Sequence, residues 1–137
     1  MGRIIIEDYR EFRFALATIE AVRILVIENN LLWSSKLKSG LIALGHAPVI
    51  SPALPSDAGG YELAIVNLSQ PTPSPKELIA SLHSYGIKVI AHAGHKEKDL
   101  LQLGKEAGAD VLVTNGELSA KLEAVVAKAC RGENGES

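Results

Sequence analysis

The sequence predicts an α/β fold: a five-stranded parallel sheet with helices on both faces. Short apolar segments alternate with longer amphipathic segments five times along the 137 residues. A strand that is apolar at successive positions is buried on both faces, as is typical of parallel sheets. Regular alternation of strand and helix implies right-handed crossovers between parallel neighbours. The length allows one domain with a substantial core and little else.

The composition indicates which kinds of partner and which cellular compartment to expect. The 14 basic residues are offset by 16 acidic ones, for a net charge of −2, so we expect neither nucleic acid nor an anionic membrane as a partner. No apolar run approaches the roughly 18 residues that a membrane span needs. Acids and arginines interrupt residues 1–22, unlike the core of a signal peptide. The single cysteine, Cys130, excludes an intrachain disulfide and favours a cytoplasmic location.

Residues 1–21 are predicted to form an amphipathic helical extension. Apolar side chains recur there at spacings of four and three, which makes one continuous stripe on a helix. The stripe consists of Ile5, Tyr9, Phe12, Leu16 and Ile19. A strand is the alternative, since Ile4, Ile5 and Ile6 are β-branched, but the regular spacing favours the helix. Because an isolated helix of about 16 residues is marginal in water, we expect the stripe to pack on the domain or, preferably, on a second copy in a homodimer.

The domain proper is expected over residues 22–130, followed by a flexible polar tail over 131–137. Its first strand, Ile24 to Ile27, ends in Glu28-Asn29-Asn30, and Asn30 is a plausible N-cap for the next helix. That helix presents a buried stripe and ends at Gly45. The stripe consists of Trp33, Leu37, Leu41 and Leu44, and a short strand follows from Ala47 to Ser51.

The second half continues the alternation. Residues 52–60 are too rich in Pro and Gly to hold a full helix, and the central strand then runs from Leu63 to Asn67. Ser74 and Glu77 form a predicted capping box for a helix with Leu78, Leu82 and Tyr85 inward. The remaining elements are a strand from Ile87 to His92, a helix from Lys96 to Gly108, a strand from Asp110 to Thr114, and a last helix from Glu117 to about Ala129.

Four strand ends should converge at one edge of this sheet. In open α/β sheets, sites lie beyond the carboxyl ends of the strands. The residues brought there are Glu28 and Asn29, Asn67, Ala93 with Gly94, and Asn115. The last buried position of the central strand is therefore an amide, Asn67, where chemistry would be done.

These segments resemble the receiver domain of two-component response regulators. Residues 24–30 resemble its first strand with the acidic pair, and residues 63–71 resemble the strand that carries the phosphorylated aspartate, with the proline four residues later. Residues 89–95 resemble the strand that ends in Thr or Ser, and residues 106–115 the segment that ends in the family's lysine. The resemblance implies a flavodoxin-like strand order, with the family's second helix reduced between Ser51 and Tyr61.

Carried over position by position, the resemblance implies a degenerate site. Glu28 and Asn29 stand at the acidic pair and Asn67 at the phosphoacceptor, while Ala93 and Asn115 replace the hydroxyl residue and the lysine. An amide cannot act as the carboxylate nucleophile, and Mg²⁺ seeks several anionic oxygens. The family's metal and phosphoryl chemistry are therefore not expected, and the chain resembles a pseudo-receiver. Asn67 itself is expected to be a structural amide.

The remaining polar residues point to no enzyme. His92 and His95 follow the fourth strand, but a metal site would need further ligands, so solvated or hydrogen-bonded histidines are expected. His46 and His83 should face water or helix ends, and Cys130 should be a passive thiol. No dinucleotide fingerprint, Walker motif, flavin phosphate loop or nucleophile elbow is present. We expect no catalytic activity, no cofactor and no metal.

The expected function is a phosphorylation-independent signalling module that binds a protein partner. By resemblance to receivers, the partner surface would be the last two helices with the fifth strand. The alternative is a small-molecule sensor or an unrecognised enzyme. It would use the polar edge formed by Asn29, Asn67, His92 and Asn115.

Deleting residues 1–20 tests the predicted packing of the N-terminal stripe. Removal of five buried apolar side chains should lower the free energy of unfolding by about 2 kcal/mol or more, or convert a dimer into a monomer. Light scattering gives the mass and denaturant titration the stability. A deleted chain that matches the full chain in mass and stability would contradict packing on the domain and on a second copy alike.

Overall fold

The structure, a computed structural model, describes residues 21–70 and 74–132. The predicted N-terminal helix and the end of the predicted tail lie outside these residues, so both stay predictions. Strands are β1 (Arg23–Ile27), β2 (Ala47–Ser51), β3 (Leu63–Asn67), β4 (Lys88–Ala93) and β5 (Val111–Thr114). Helices are α1 (Leu31–Ala43), α2 (Pro75–Ser84), α3 (Lys98–Glu106), α4 (Asn115–Ala120) and α5 (Leu122–Arg131).

The five strands form one parallel sheet in the order β2-β1-β3-β4-β5. This order is flavodoxin-like and confirms the predicted fold. Between Ser51 and Tyr61 the chain forms bends and turns and no helix, as its Pro and Gly content predicts. Ala58 from this stretch is fully buried and fills the sheet face that the missing helix leaves. Across the described residues, no helix is long and apolar enough to cross a membrane.

Strand β3 is the centre of the sheet and is buried at every position. Ile65 pairs with Val26 of β1 on one side and with Ile90 of β4 on the other. Successive side chains alternate between faces: Ile65 packs towards α1 and α5, and Val66 towards α2. Each such buried side chain contributes roughly 1.5–3 kcal/mol, so the strand that ends at Asn67 is held firmly.

The helices cover both faces. On one face, α1, α4 and α5 bury Leu37, Leu41, Leu118 and Val126 against the sheet. On the other face, α2 buries Ile79 and Leu82, and α3 packs Leu100 and Leu101 near the end of β4. Two predicted helix starts are present: Asn30 Oδ1 accepts from the Trp33 N–H at 3.0 Å, and Ser74 Oγ accepts from the Glu77 N–H at 3.2 Å.

The predicted last helix is in fact two helices. Thr114 forms a capping box with Glu117, because Thr114 Oγ1 accepts from the Glu117 N–H while the Glu117 carboxylate accepts from the Thr114 N–H. Helix α4 therefore begins at Asn115, earlier than predicted. The backbone leaves helical geometry at Lys121, with φ −129° and ψ 40°, and α5 starts after it.

Two side chains lie elsewhere than predicted. Tyr85 is 45% exposed, because α2 ends one residue earlier and Ile79 occupies the inward position instead. His46 does not face solvent: it is buried, and its Nδ1 accepts from the Val22 N–H at 3.2 Å. The turn at Gly45, with φ +90°, carries the chain back over the end of α1 and places His46 there.

Candidate functional site

Three polar side chains lie side by side beneath α1 at the carboxyl ends of neighbouring strands. Glu28 follows β1, Asn67 ends β3, and His92 precedes the last residue of β4. Asn67 and His92 are register partners, so their side chains share a face of the sheet. All three are buried: 2%, 6% and 0% of their surfaces are exposed. The sheet register therefore builds a polar row inside an otherwise apolar layer.

Glu28 and Asn67 form the tightest pair of this row. Asn67 Nδ2 donates to Glu28 Oε1 at 3.0 Å and lies 3.3 Å from Oε2. The second oxygen also accepts from the Asn30 N–H at 3.1 Å, at the start of α1. A helix N-terminus favours a nearby carboxylate, which helps to offset the burial of this charge. On its other side, Asn67 Oδ1 accepts from the Ser69 N–H at 2.9 Å. The amide is thus used at both ends.

His92 continues the row towards α4. Its Nδ1 lies 2.6 Å from Asn115 Oδ1, and an amide oxygen only accepts, so Nδ1 donates. Its Nε2 has no hydrogen-bond partner among the described residues and lies 4.0 Å from Glu28 Oε1. Burial lowers the pKa of His92 below 6.5, against opposing effects of Asn115 and Glu28. The ring is therefore mostly neutral at pH 7, and Trp33 of α1 lies against it with ring centres 5.6 Å apart.

A second set of contacts ties the loops at the rim of this row. The Asn29 N–H donates to Gln70 Oε1 at 2.6 Å, which joins the loops after β1 and β3. Glu97 Oε1 accepts from the Gly94 N–H at 2.6 Å and from Ser69 Oγ at 2.8 Å, which joins the loops after β3 and β4. These bonds lower the pKa of the Glu97 carboxyl. Sequence reasoning missed Glu97; its only signal was the three-residue spacing from Gly94.

The predicted site residues separate into three groups. Glu28, Asn67 and His92 form the buried row, which the half-buried Asn115 joins through its hydrogen bond to His92. Asn29 is exposed at the rim, and His95 is exposed in the loop after β4. Ala93 is fully buried and packs with Leu68 and Ala91 on the opposite face of the sheet, where it offers only a methyl group.

The side chains of this row do not fit Mg²⁺. Glu28 is the row's single carboxylate, and both of its oxygens already accept from N–H groups. Asn67 turns its NH₂, not its oxygen, towards Glu28. Within residues 21–70 and 74–132, no group of three or more His, Cys, Asp or Glu side chains could hold a metal ion. A hard divalent cation needs several free anionic oxygens, which this donor set lacks.

Comparisons with known proteins give similarity in structure alone. No family model and no curated protein matches the chain. The response regulator ChrA of a heme-sensing two-component system superposes with a TM-score of 0.72 at 16% identity, over 85% of this chain and 60% of ChrA. This chain thus spans less than two thirds of the length of that protein.

Other solved structures show the same similarity. A receiver domain protein from Clostridium thermocellum gives a TM-score of 0.67 at 17% identity, over 80% of this chain and 94% of that one. A response regulator from Burkholderia pseudomallei, solved with a phosphorylated aspartic acid, gives 0.65 at 20% identity, over 83% of this chain and 73% of that one. At such identities the comparison establishes fold and not function. The chain has the fold of response-regulator receiver domains.

Proposed function

We propose that the protein is a pseudo-receiver: a two-component-type regulatory module that acts by protein–protein contact and independently of phosphorylation. The observation that carries this proposal is the use of Asn67. The residue at the expected phosphoacceptor position donates to Glu28 and accepts from the Ser69 N–H, so it is a structural amide. Such an amide holds the ends of β1 and β3 together and offers no nucleophile.

The surrounding side chains support the same proposal. Phosphoryl transfer depends on cations that offset charge on the transferred group. Asn115 stands where the family has its lysine, and its oxygen is engaged by His92. Ala93 supplies no hydroxyl, and the row does not fit Mg²⁺. Glu28, Asn29, Asn67, Ala93 and Asn115 would together be the degenerate form of a phosphorylation site.

The rim contacts favour a module with a fixed active surface. The Glu97 carboxylate accepts hydrogen bonds from the Gly94 N–H and from the Ser69 hydroxyl. Charge-assisted hydrogen bonds of this kind are stronger than neutral ones. The loops after β3 and β4 are thereby joined without any added group, so a phosphoryl group would not be required to order them. The proposed module has no catalytic activity, cofactor or metal, and acts in the cytoplasm.

Two surfaces are candidates for the protein partner. By resemblance to receivers, the first consists of α3, β5 and the pair α4 and α5, which correspond to the last two predicted helices with the fifth strand. Strand β5 is an edge strand of the sheet. The second rests on exposure: Leu31 and Leu32 at the start of α1 are 80% and 84% exposed, directly beside the buried row. Large exposed apolar side chains next to one another mark interaction sites. A homodimer through residues 1–21 belongs to the same proposal.

The alternative of a small-molecule sensor or enzyme at the polar edge has less support. Asn67 and His92 are buried beneath α1, and Asn115 is hydrogen-bonded to His92. Of the four residues proposed for that edge, only Asn29 is exposed. A ligand would have to break the hydrogen bonds of the buried row in order to reach Asn67 or His92.

Exchanging the acid and the amide tests the structural role of Asn67. Asn67→Asp replaces a donor by a second buried carboxylate about 3 Å from Glu28 and should destabilise the protein by about 2–4 kcal/mol at pH 7. Adding Glu28→Gln restores one donor and one acceptor, so the double variant should recover at least about 1 kcal/mol. Urea unfolding measures both, with exposed Asn29→Asp as the near-neutral control. Additive losses would show that the pair does not interact.

Phosphorylation is tested by intact-mass spectrometry after acetyl phosphate and Mg²⁺. Neither the wild type nor Asn67→Asp should gain a phosphoryl group, and beryllofluoride should not bind. Loss of one preorganised electrostatic partner costs about 3 kcal/mol of barrier, roughly a hundredfold in rate, and Asn29, Ala93 and Asn115 together lack several. A phosphorylatable receiver treated in parallel shows that the acetyl phosphate is active. A phosphoryl adduct on the wild type would overturn the proposal. An adduct on Asn67→Asp alone would show that Asn29, Ala93 and Asn115 support phosphoryl transfer better than proposed.

The partner surfaces are separated by two variants in affinity purification from native cells. Leu31→Glu with Leu32→Glu disrupts the α1 surface, and Lys121→Glu with Glu123→Lys inverts charges at the α4–α5 junction without changing net charge. One of them should reduce recovery of a co-purifying protein at least about tenfold, as expected for loss of interface anchors. Ile42→Glu, exposed on the same helix as Leu31, is the control. Recovery of no specific protein by the wild type would contradict the proposed mode of action.

A further inference from the structure

His92 is a buried titratable group whose free nitrogen faces a buried carboxylate. Its side chain and that of Glu28 are 0% and 1% exposed, and His92 Nε2 lies 4.0 Å from Glu28 Oε1 without a hydrogen-bond partner among the described residues. Because Nδ1 donates to Asn115, the neutral ring presents a lone pair at Nε2. A lone pair and a carboxylate oxygen are both acceptors, so the two groups face each other without a bond.

We propose that His92 and Glu28 form a proton-operated latch between β4 and β1. A proton taken from solvent forms an N–H bond at Nε2 and gives the ring a positive charge. Two facing acceptors then become a charge-assisted donor–acceptor pair. A closing movement of about 1 Å brings the atoms within hydrogen-bond distance. The latch is a property of the isolated domain and does not depend on the proposed partner.

Glu28 is the charged residue among the recorded neighbours of the His92 ring. The neighbours recorded for His92 among the described residues come from five places in the fold. They are Glu28 after β1, Asn67 and Val113 as register partners in β3 and β5, Trp33 of α1 and Asn115 of α4. Of these only Glu28 is charged, and it favours the protonated ring, while burial opposes it and lowers the pKa of His92. The latch is therefore open at neutral pH and closes as the pH falls through the lowered pKa of His92.

The contacts of His92 would transmit closure to two helices. Asn115 is the first residue of α4 and is bonded to Nδ1, and Trp33 lies in the first turn of α1 against the ring. If the His92 ring moves towards Glu28, Asn115 and Trp33 must either move with it or lose their contacts to it. The surfaces that respond are thus the start of α4 and the start of α1, which adjoin both proposed partner surfaces.

The single tryptophan of the chain, Trp33, reports on the ring. An imidazolium next to an indole quenches its fluorescence, so acidification should quench Trp33 with a midpoint below pH 6.5 while far-UV circular dichroism stays constant. Glu28→Gln should move the midpoint to lower pH, because it removes the favourable charge, and His92→Gln should abolish the transition. His95→Gln, in the exposed loop after β4, is the matched control and should leave the midpoint unchanged.

Ring-nitrogen NMR of the wild type keeps the test independent of how the variants fold. At pH 8, Nδ1 should carry the proton and Nε2 should not, and on acidification Nε2 should gain one. A neutral ring protonated at Nε2 at pH 8 would overturn the proposal, since the contact to Glu28 would then exist without acid. So would a midpoint insensitive to Glu28→Gln, or loss of the circular dichroism signal together with the quenching, because the folded state would then not accept the proton.

Discussion

The hydrogen bond from Asn67 to Glu28 is the contact on which the carboxyl edge of the sheet depends. Glu28 is a buried carboxylate for which no lysine or arginine partner is recorded in the described part of the chain, and its oxygens are satisfied by Asn67 and by the start of α1. An unsatisfied buried carboxylate would cost several kcal/mol. Both residues follow strands that the apolar core fixes in register. The amide is therefore as much a part of the packing as the side chains beneath it.

This pairing gives a physical reason for the proposed loss of phosphorylation. An aspartate in place of Asn67 would face Glu28 at about 3 Å, and without a cation the two charges would repel. Neutral Asn67 and Asn115 remove that conflict, and each makes one hydrogen bond in the row, Asn67 to Glu28 and Asn115 to His92. In the proposed pseudo-receiver, the side chains at the position of the phosphorylation site instead stabilise one arrangement of the loops.

Several features followed directly from local pattern. The strands, the caps at Asn30 and Ser74, and the missing helix between Ser51 and Tyr61 were predictable, because apolar periodicity and turn residues act within a few positions of the chain. The predictions were wrong where contacts between residues distant in sequence decide the position of a side chain. Tyr85 continues the predicted apolar stripe but lies past the end of α2. His46 was expected to face water or the end of its helix, but its ring is buried and accepts from the Val22 N–H. The early start of α4 was readable from Thr114 and Glu117, the pattern of a capping box.

The sequence by itself determined the α/β class, the strands, most of the helix positions and the residues that reach the carboxyl edge, since apolar burial patterns dictate these elements. The flavodoxin-like strand order was implied by the resemblance to receivers. Only the tertiary structure decided how those residues pair. Whether Asn67 bonds to Glu28, and whether Ala93 faces the row or the opposite core, depends on sheet register and on the face each side chain takes. The unpartnered nitrogen of His92, 4.0 Å from Glu28, could emerge only there, because the two residues are 64 positions apart and meet through the order of β1, β3 and β4.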